Sequence, residues 1–334
     1  MTQHQHVVPQ RVVIAGGSGF IGQYLAEAFR AEGAEVSLIG RSGPDARWGD
    51  TAGITRLLDG ADLLVNLAGK SVNCRYTPTN RAEIMRSRIE TTRELAAAIR
   101  ACETPPALWV NSSTATIYRH AEDRPMTEES GEIGTGFSVG IATEWERELF
   151  AGDLPGTRRV ALRMAIVLGD GSALIPLIRL AQVGLGGAQL DGRWPSTPAR
   201  RAAGTFHERR ALGGSQRFSW IHIDDVLGII RYLVDHDEID GVINAAAPEP
   251  EDNRRMMAAL RRVVRAPVGI PTPRWMLETG AAMIRTETEL VLKSRWVIPE
   301  RIVNSGYAFS YPDLEPALAQ IVRKRGLPKA HANS

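Results

Sequence analysis

Three glycines, Gly16, Gly19 and Gly22, stand at equal spacing in AGGSGFIG (15–22). A loop that cradles a dinucleotide needs this arrangement. The first glycine allows a tight turn, the second lets a pyrophosphate approach bare backbone, and the third lets helix and strand pack closely. Around them, Ser18, Phe20 and Ile21 open a helix whose N-terminus offers amide donors and a positive dipole end. The end of the second strand then tests the choice of nucleotide. Enzymes that take NAD commonly place Asp or Glu there, and those that take NADP tend to place Arg. LIGRSG (38–43) offers Arg41 and Ser42 and no acid. Arg41 is expected to clamp a 2′-phosphate; its other reading is a solvated surface arginine. One such charge-assisted hydrogen bond contributes about 1.5–3 kcal/mol. Leu67, Ala68 and Gly69 would pass under the adenine side, and Ser112 and Ser113 complete the expected contacts to NADP(H).

These residues need a scaffold, and the chain supplies a repeating one. RVVIA (11–15), EVSLIG (35–40), DLLVNLAG (62–69), ALWVNSS (107–113) and RRVALRM (158–164) read as strands. FIGQYLAEAFRAEG (20–33), residues 79–101 and the stretch from Phe137 read as helices between them. Strand and helix in alternation argue for an α/β fold, a Rossmann doubly wound parallel sheet. Beyond it, 172–182 reads as a helix, QRFSWIHI (216–223) as one strand, 224–236 as a helix and GVINAAA (241–247) as a strand. From Pro248 the chain is mostly helical. The expected division is 11–170 with 216–247 as the NADP-binding domain, and 171–215 with 248–325 as a smaller, mostly helical C-terminal substrate lobe.

Composition excludes several classes. Forty basic and 38 acidic residues give a net charge of +2, too balanced for a polyanion partner, so no nucleic acid is expected. No apolar run has the length of a membrane span. Cys74 and Cys102 are the two cysteines, which implies no disulfide framework and suits a reducing, cytoplasmic setting. Residues 1–10 read as a short tail whose two histidines are not ligands.

Further motifs accompany the glycine loop. They are NLAG (66–69), SRIETT (87–92), FSVGIATEWE (137–146), LRMAIVLG (162–169), GLGG (184–187), SWIHIDD (219–225) and VIPERIVNSGYAFSYPDLEPAL (297–318). Together with GGSGFIG they resemble the extended short-chain dehydrogenase/reductase superfamily. The resemblance is closest to its atypical "epimerase family" branch, which ends in a domain of unknown function. It covers residues 11 to about 323 and implies NADP(H) binding in a nucleotide-sugar-epimerase-like architecture. It implies no substrate.

The superfamily's proton chemistry uses a Ser or Thr, a Tyr, and a Lys four residues after that Tyr. The resemblance puts Thr114 at the first position. The helix that should begin with the Tyr/Lys pair instead offers Phe137 and Ile141, which hold neither a proton nor a charge. Loss of a general acid costs ~100- to 10,000-fold in rate. Tyr118 is the nearest alternative donor, with His120 able to tune or replace it; its competing role is packing. An apolar slot beside a nicotinamide would also suit reduction of a carbon–carbon double bond. The expected function is an NADP(H)-dependent oxidoreductase or epimerase-like protein acting on an unidentified small molecule, or a catalytically silent NADP(H)-binding regulator. Arg193, Arg200, Arg201, Arg209, Arg210 and Arg217 crowd residues 193–217, either as a lid over an anionic substrate or as a solvated loop. His222 with Asp224 and Asp225 reads as a strand end and an aspartate helix cap rather than as a metal site, and no metal is expected. Trp275, Trp296, Met276 and Met283 read as core or pocket lining. Oligomeric state has no signature in the sequence.

Overall fold

The computed structural model describes residues 8–171, 174–204, 206–207, 211–283 and 292–325. Its strands are β1 (Arg11–Ala15), β2 (Glu35–Gly40), β3 (Ala46–Arg47), β4 (Leu63–Asn66), β5 (Leu108–Thr114), β6 (Arg158–Met164), β7 (Ile166–Leu168), β8 (Arg217–Phe218), β9 (Trp220–His222), β10 (Gly241–Ala245) and β11 (Glu251–Asp252). Seven of them form one parallel sheet in the order β10-β6-β5-β4-β1-β2-β3. The order reverses between β1 and β4, and a crevice for a ligand opens at the carboxyl ends of strands at such a point.

Helices cover both faces, and alternate strand residues feed the two sides. Val12, Ile14, Leu63, Val65 and Val110 pack under α1 (Phe20–Ala31) and α7 (Ile223–Asp235). Val13, Ala15, Leu64 and Trp109 pack under α2 (Thr51–Leu58) and α3 (Pro78–Arg100). Next to α3 lies α4 (Phe137–Leu149), whose Trp145 donates its indole N–H to Thr92 at 3.0 Å. The doubly wound fold inferred from the alternation is therefore the one observed.

Two readings of the sequence change. QRFSWIHI is not one strand. β8 pairs antiparallel with β11 and β9 pairs parallel with β7, with the break at Ser219. The buried Ser219 is held from the C-terminal region, donating its hydroxyl to the Arg295 carbonyl (2.7 Å) and accepting the Val297 amide (2.8 Å). The cap of α7 also differs. It is His222, not an aspartate, whose Nδ1 accepts the Asp224 amide at 3.2 Å. Asp225 lies inside the fold, where its carboxylate accepts the amides of Ser310 (2.7 Å) and Tyr311 (3.0 Å) and the Tyr307 hydroxyl (3.1 Å).

The C-terminal region supplies α8 (Asn253–Val264), α9 (Arg274–Met283), α10 (Glu300–Asn304) and α11 (Leu314–Lys324), with α5 (Leu174–Gln182) and the short α6 (Pro198–Ala202) preceding it. It is laced into the sheet. Met126 donates its amide to Trp296 O (2.7 Å), Ile298 returns one to Met126 O (3.1 Å), and Asn244 on β10 donates to Ile298 O (3.1 Å). Trp275, read as core or pocket lining, is 58% exposed and so not core, while Trp296 is partly covered beneath the Arg217 guanidinium. The tail residues 1–7, Arg209, Arg210 and the side chain of Met283 lie outside the described residues. Among the described residues, no helix is long and apolar enough to cross a membrane.

Candidate cofactor cleft and proton-transfer site

The glycine loop follows β1 at the reversal of strand order. Gly16 has φ +83°, and a Cβ there would come within 2.8 Å of Leu67 C, so loop and NLAG segment require each other. A Cβ on Gly22 would meet Gly16 O and Gly17 Cα at 2.7 Å, which explains the third glycine. Gly19 is different. A Cβ there would meet only Gly16 O, at an ordinary 3.6 Å. Nothing among the described residues demands glycine at this position, and a ligand held against the backbone would. Helix α1 begins at Gly19 with no side-chain cap and no acid in its first turn. A helix start leaves donors without intrahelical partners, so this one suits a phosphate. Ser18 and Gly19 are exposed, whereas Phe20 turns its ring against Gly169 and Gly171. That contact explains the glycine closing LRMAIVLG.

Arg41 and Ser42 are exposed at the end of β2, and Arg41 forms no ion pair among the described residues. The sequence did not single out Arg88. Its guanidinium lies where a Gly69 side chain would come within 3.0 Å of its central carbon, and it donates to Lys70 O and Ile84 O at 3.0 Å. It also covers the Trp145 ring at 4.9 Å. Burial pulls its pKa down to about 10, which leaves it charged at neutral pH. The available signal was position: Arg88 falls on the helical face of Ile84, Thr92 and Leu95.

At the end of β5, neighbouring side chains part company. Ser112 and Thr114 share a face and are half-buried. Thr114 caps a single 3₁₀ turn, its Oγ accepting the Thr116 amide at 3.1 Å. Ser113, expected to touch the cofactor, points the other way and donates to Glu146 Oε1 at 2.5 Å. Glu146 is clamped by Arg163 through Nε (2.8 Å) and a terminal nitrogen (2.7 Å). Arg163 also donates to the Tyr118 hydroxyl (2.8 Å), which donates to Asn244 Oδ1 (2.9 Å).

That network corrects the catalytic expectation for Tyr118. The residue is 1% exposed, its hydroxyl is saturated by two protein partners, and burial pushes its pKa upward. It joins β6 and β10 through the core. His120 is held by the Ser294 amide on Nδ1 (3.2 Å), with Glu122 at 3.3 Å from Nε2. Phe137 meets Tyr76 edge-on at 4.9 Å, and Ile141 packs with Tyr76 and Ile84. The missing Tyr/Lys pair has been replaced by helix packing.

The C-terminal region brings cations to this strand end that sequence reading missed. Lys293 Nζ donates to Thr116 O (2.8 Å) and Arg295 Nε to Thr116 Oγ (3.2 Å). The arginine-rich segment divides. Arg193 and Arg201 are exposed, Arg200 faces Glu278 at 3.6 Å, and Arg217 covers Trp296 at 4.3 Å. Among the described residues, no cluster of His, Cys, Asp and Glu could hold a metal ion.

Comparison with known proteins agrees with this fold. Residues 12–246 match the NAD dependent epimerase/dehydratase family, and residues 272–321 match a domain of unknown function, DUF1731. The chain is 32% identical to epimerase family protein SDR39U1 of Bos taurus, over 93% of this chain and 99% of that one. It is 29% identical to epimerase family protein YfhF of Bacillus subtilis, over 94% and 98%. The crystal structure of human SDR39U1 (isoform 2) with NADPH superposes with a TM-score of 0.77 at 30% identity, covering 94% of this chain and 99% of that one. The chain thus belongs to the NAD dependent epimerase/dehydratase family, with a DUF1731 domain at its C-terminal end.

Proposed function

We propose that the chain binds NADP(H) in the crevice beside the glycine loop and acts on a small molecule as an oxidoreductase or epimerase-like enzyme. The observation that carries this reading is the uncapped start of α1 behind Gly19, a glycine that no described neighbour requires. The NADPH in the human relative's structure supports the same choice of cofactor. In this reading Gly16, Ser18, Gly19 and Gly22, with the Phe20 and Ile21 amides, hold the pyrophosphate. Arg41 and Ser42 hold the 2′-phosphate, Leu67 to Gly69 underlie the adenine side, and Arg88 lies beneath them as a fixed charge. Thr114 orients the substrate oxygen with Ser112 on the same face. The bound nicotinamide would supply or accept a hydride.

Calorimetry with NADPH and NADH tests the cofactor half. Arg41→Ala should weaken NADPH binding roughly 10- to 150-fold while leaving NADH unchanged, the loss of one charge-assisted bond. Equal affinity before and after the change would remove Arg41 from the site. A second reading, a silent NADP(H)-binding regulator, is favoured by the packing of Phe137 against Tyr76 and of Ile141 with Tyr76 and Ile84, where the Tyr/Lys pair would stand. It requires tight NADPH binding with no oxidation across a panel of ketones and enones.

A further inference from the structure

Residues 191–207 carry a feature that the cofactor reading does not use. Phe137 donates its amide to Gly204 O at 3.4 Å, and a Cβ on Gly204 would come within 2.9 Å of Gly136 Cα. The segment therefore sits on the first turn of α4, where the absent Tyr/Lys pair would stand. Three residues after Gly204 comes His207, whose ring centroid is 5.7 Å from that of His120. His207 Nε2 lies 2.8 Å from Asp191 Oδ2, and both side chains are nearly sealed, at 4% and 0% exposure. Asp191 is held in turn by Arg274 (2.8 Å) and by the Ala211 amide (3.3 Å), and Arg274 pairs with Glu278 at 2.7 Å.

A carboxylate on one imidazole nitrogen fixes the ring's orientation. Asp191 takes Nε2, so a proton passed to a ligand leaves from Nδ1. His207 also lines a cavity of about 490 Å³ together with Arg193, Trp194, Arg201 and Phe206. That volume suits a small molecule, and two guanidiniums at its wall suit an anion.

We propose that this cavity is the substrate subsite, that it takes a small carbonyl compound bearing a carboxylate or a phosphate, and that His207 gives the carbonyl its proton. The proposal rests on the NADP(H) reading above. In the balanced step the carbonyl carbon gains a hydride from NADPH, which is oxidised to NADP⁺. The C=O π pair moves onto oxygen, which takes the proton from His207 Nδ1, and the neutral ring regains a proton from water. Arg193 and Arg201 hold the anionic group.

Two measurements test it. Oxalate and inorganic phosphate are first titrated calorimetrically into the protein without cofactor. One of them should saturate a single site, Arg193→Gln should weaken it at least ~10-fold, and Arg255→Gln, outside this cavity, should not. Saturable binding by neither anion, or unaltered affinity in Arg193→Gln, overturns the subsite. With NADPH present, pyruvate and 2-oxoglutarate then test the carboxylate arm, and dihydroxyacetone phosphate the phosphate arm. His207→Gln should lower kcat ~100- to 10,000-fold with KM and NADPH affinity unchanged, and imidazole should restore turnover to His207→Ala. Turnover of none of the three compounds by the unaltered protein, or full kcat in His207→Gln, overturns the proton role. Absence of NADPH binding in the unaltered protein is a separate result, and it sinks the cofactor reading instead.

Discussion

Ser113 and Tyr118 each bring a hydroxyl close to the end of β5, and each spends it inside the protein. The chain from Ser113 through Glu146, Arg163 and Tyr118 to Asn244 joins β5, α4, β6 and β10 in one buried path. Removing one partner of such a path leaves another polar atom buried without a bond, at a cost of about 1–3 kcal/mol. Tyr118→Phe should lose that much stability in urea unfolding while NADPH affinity and turnover stay at the level of the unaltered protein. A fall in turnover without a fall in stability would return Tyr118 to catalysis. At this scale the sequence was legible where a residue type is dictated by backbone, as at Gly16 and Gly22. It was not legible where the deciding fact is direction. Ser112 and Ser113 are adjacent and chemically identical in sequence, and only strand alternation, read against a known neighbour, separates them. His207 and Asp191 stand sixteen positions apart with no periodic relation, so their pairing is visible only once the segment is folded.

At the scale of elements, the sheet and its covering helices follow from apolar runs and 3.6-residue spacing, and these elements were readable. The split at Ser219 was not, because the apolar run through QRFSWIHI continues across it and the cause lies about 76 residues away in Arg295 and Val297. The cap of α7 escaped for a similar reason. Aspartate is the better cap by propensity, but the buried Asp225 is engaged by Tyr307, Ser310 and Tyr311, and the capping position falls to His222. Burial lowers the His222 pKa, against the opposing pull of Asp224 and Asp225 and the hydrogen bond that Nε2 donates to Gln320 Oε1. Lys324 and the Tyr311 ring, 4.0 Å away, complete its surroundings. The folded state thus prefers the neutral ring, and the unfolded chain takes up the proton first as pH falls. His222 therefore contributes stability that is present above the ordinary histidine value of ~6.5 and is lost as pH drops toward the lower folded value. His222→Asn puts a capping oxygen in place of the imidazole Nδ1 and removes the titration. Its unfolding free energy should fall less between about pH 7 and pH 5 than that of the unaltered protein. Parallel curves for the two proteins would show that His222 does not govern this window.

At the scale of the molecule, hydrogen bonds lace the C-terminal region into the sheet. Ser219 is held by residues 295 and 297, Met126 is bracketed by Trp296 and Ile298, and Asp225 is wrapped by residues 307–311. Each contact buries backbone donors or acceptors that would be left unsatisfied if the C-terminal region opened alone, so partial opening is penalised several times over. Thr116 adds to this, with Lys293 and Arg295 reaching back to the strand end that carries Thr114. Scanning calorimetry should accordingly give one transition whose van't Hoff and calorimetric enthalpies agree. NADPH at a hundred times its dissociation constant should stabilise the folded state by about 2.7 kcal/mol and move that single transition as a whole. Two transitions, of which only the one belonging to the glycine-loop half rises with NADPH, would mean that the lacing contacts are too weak to couple the C-terminal region to the sheet. The cleft would then not be held in shape by residues 293–298.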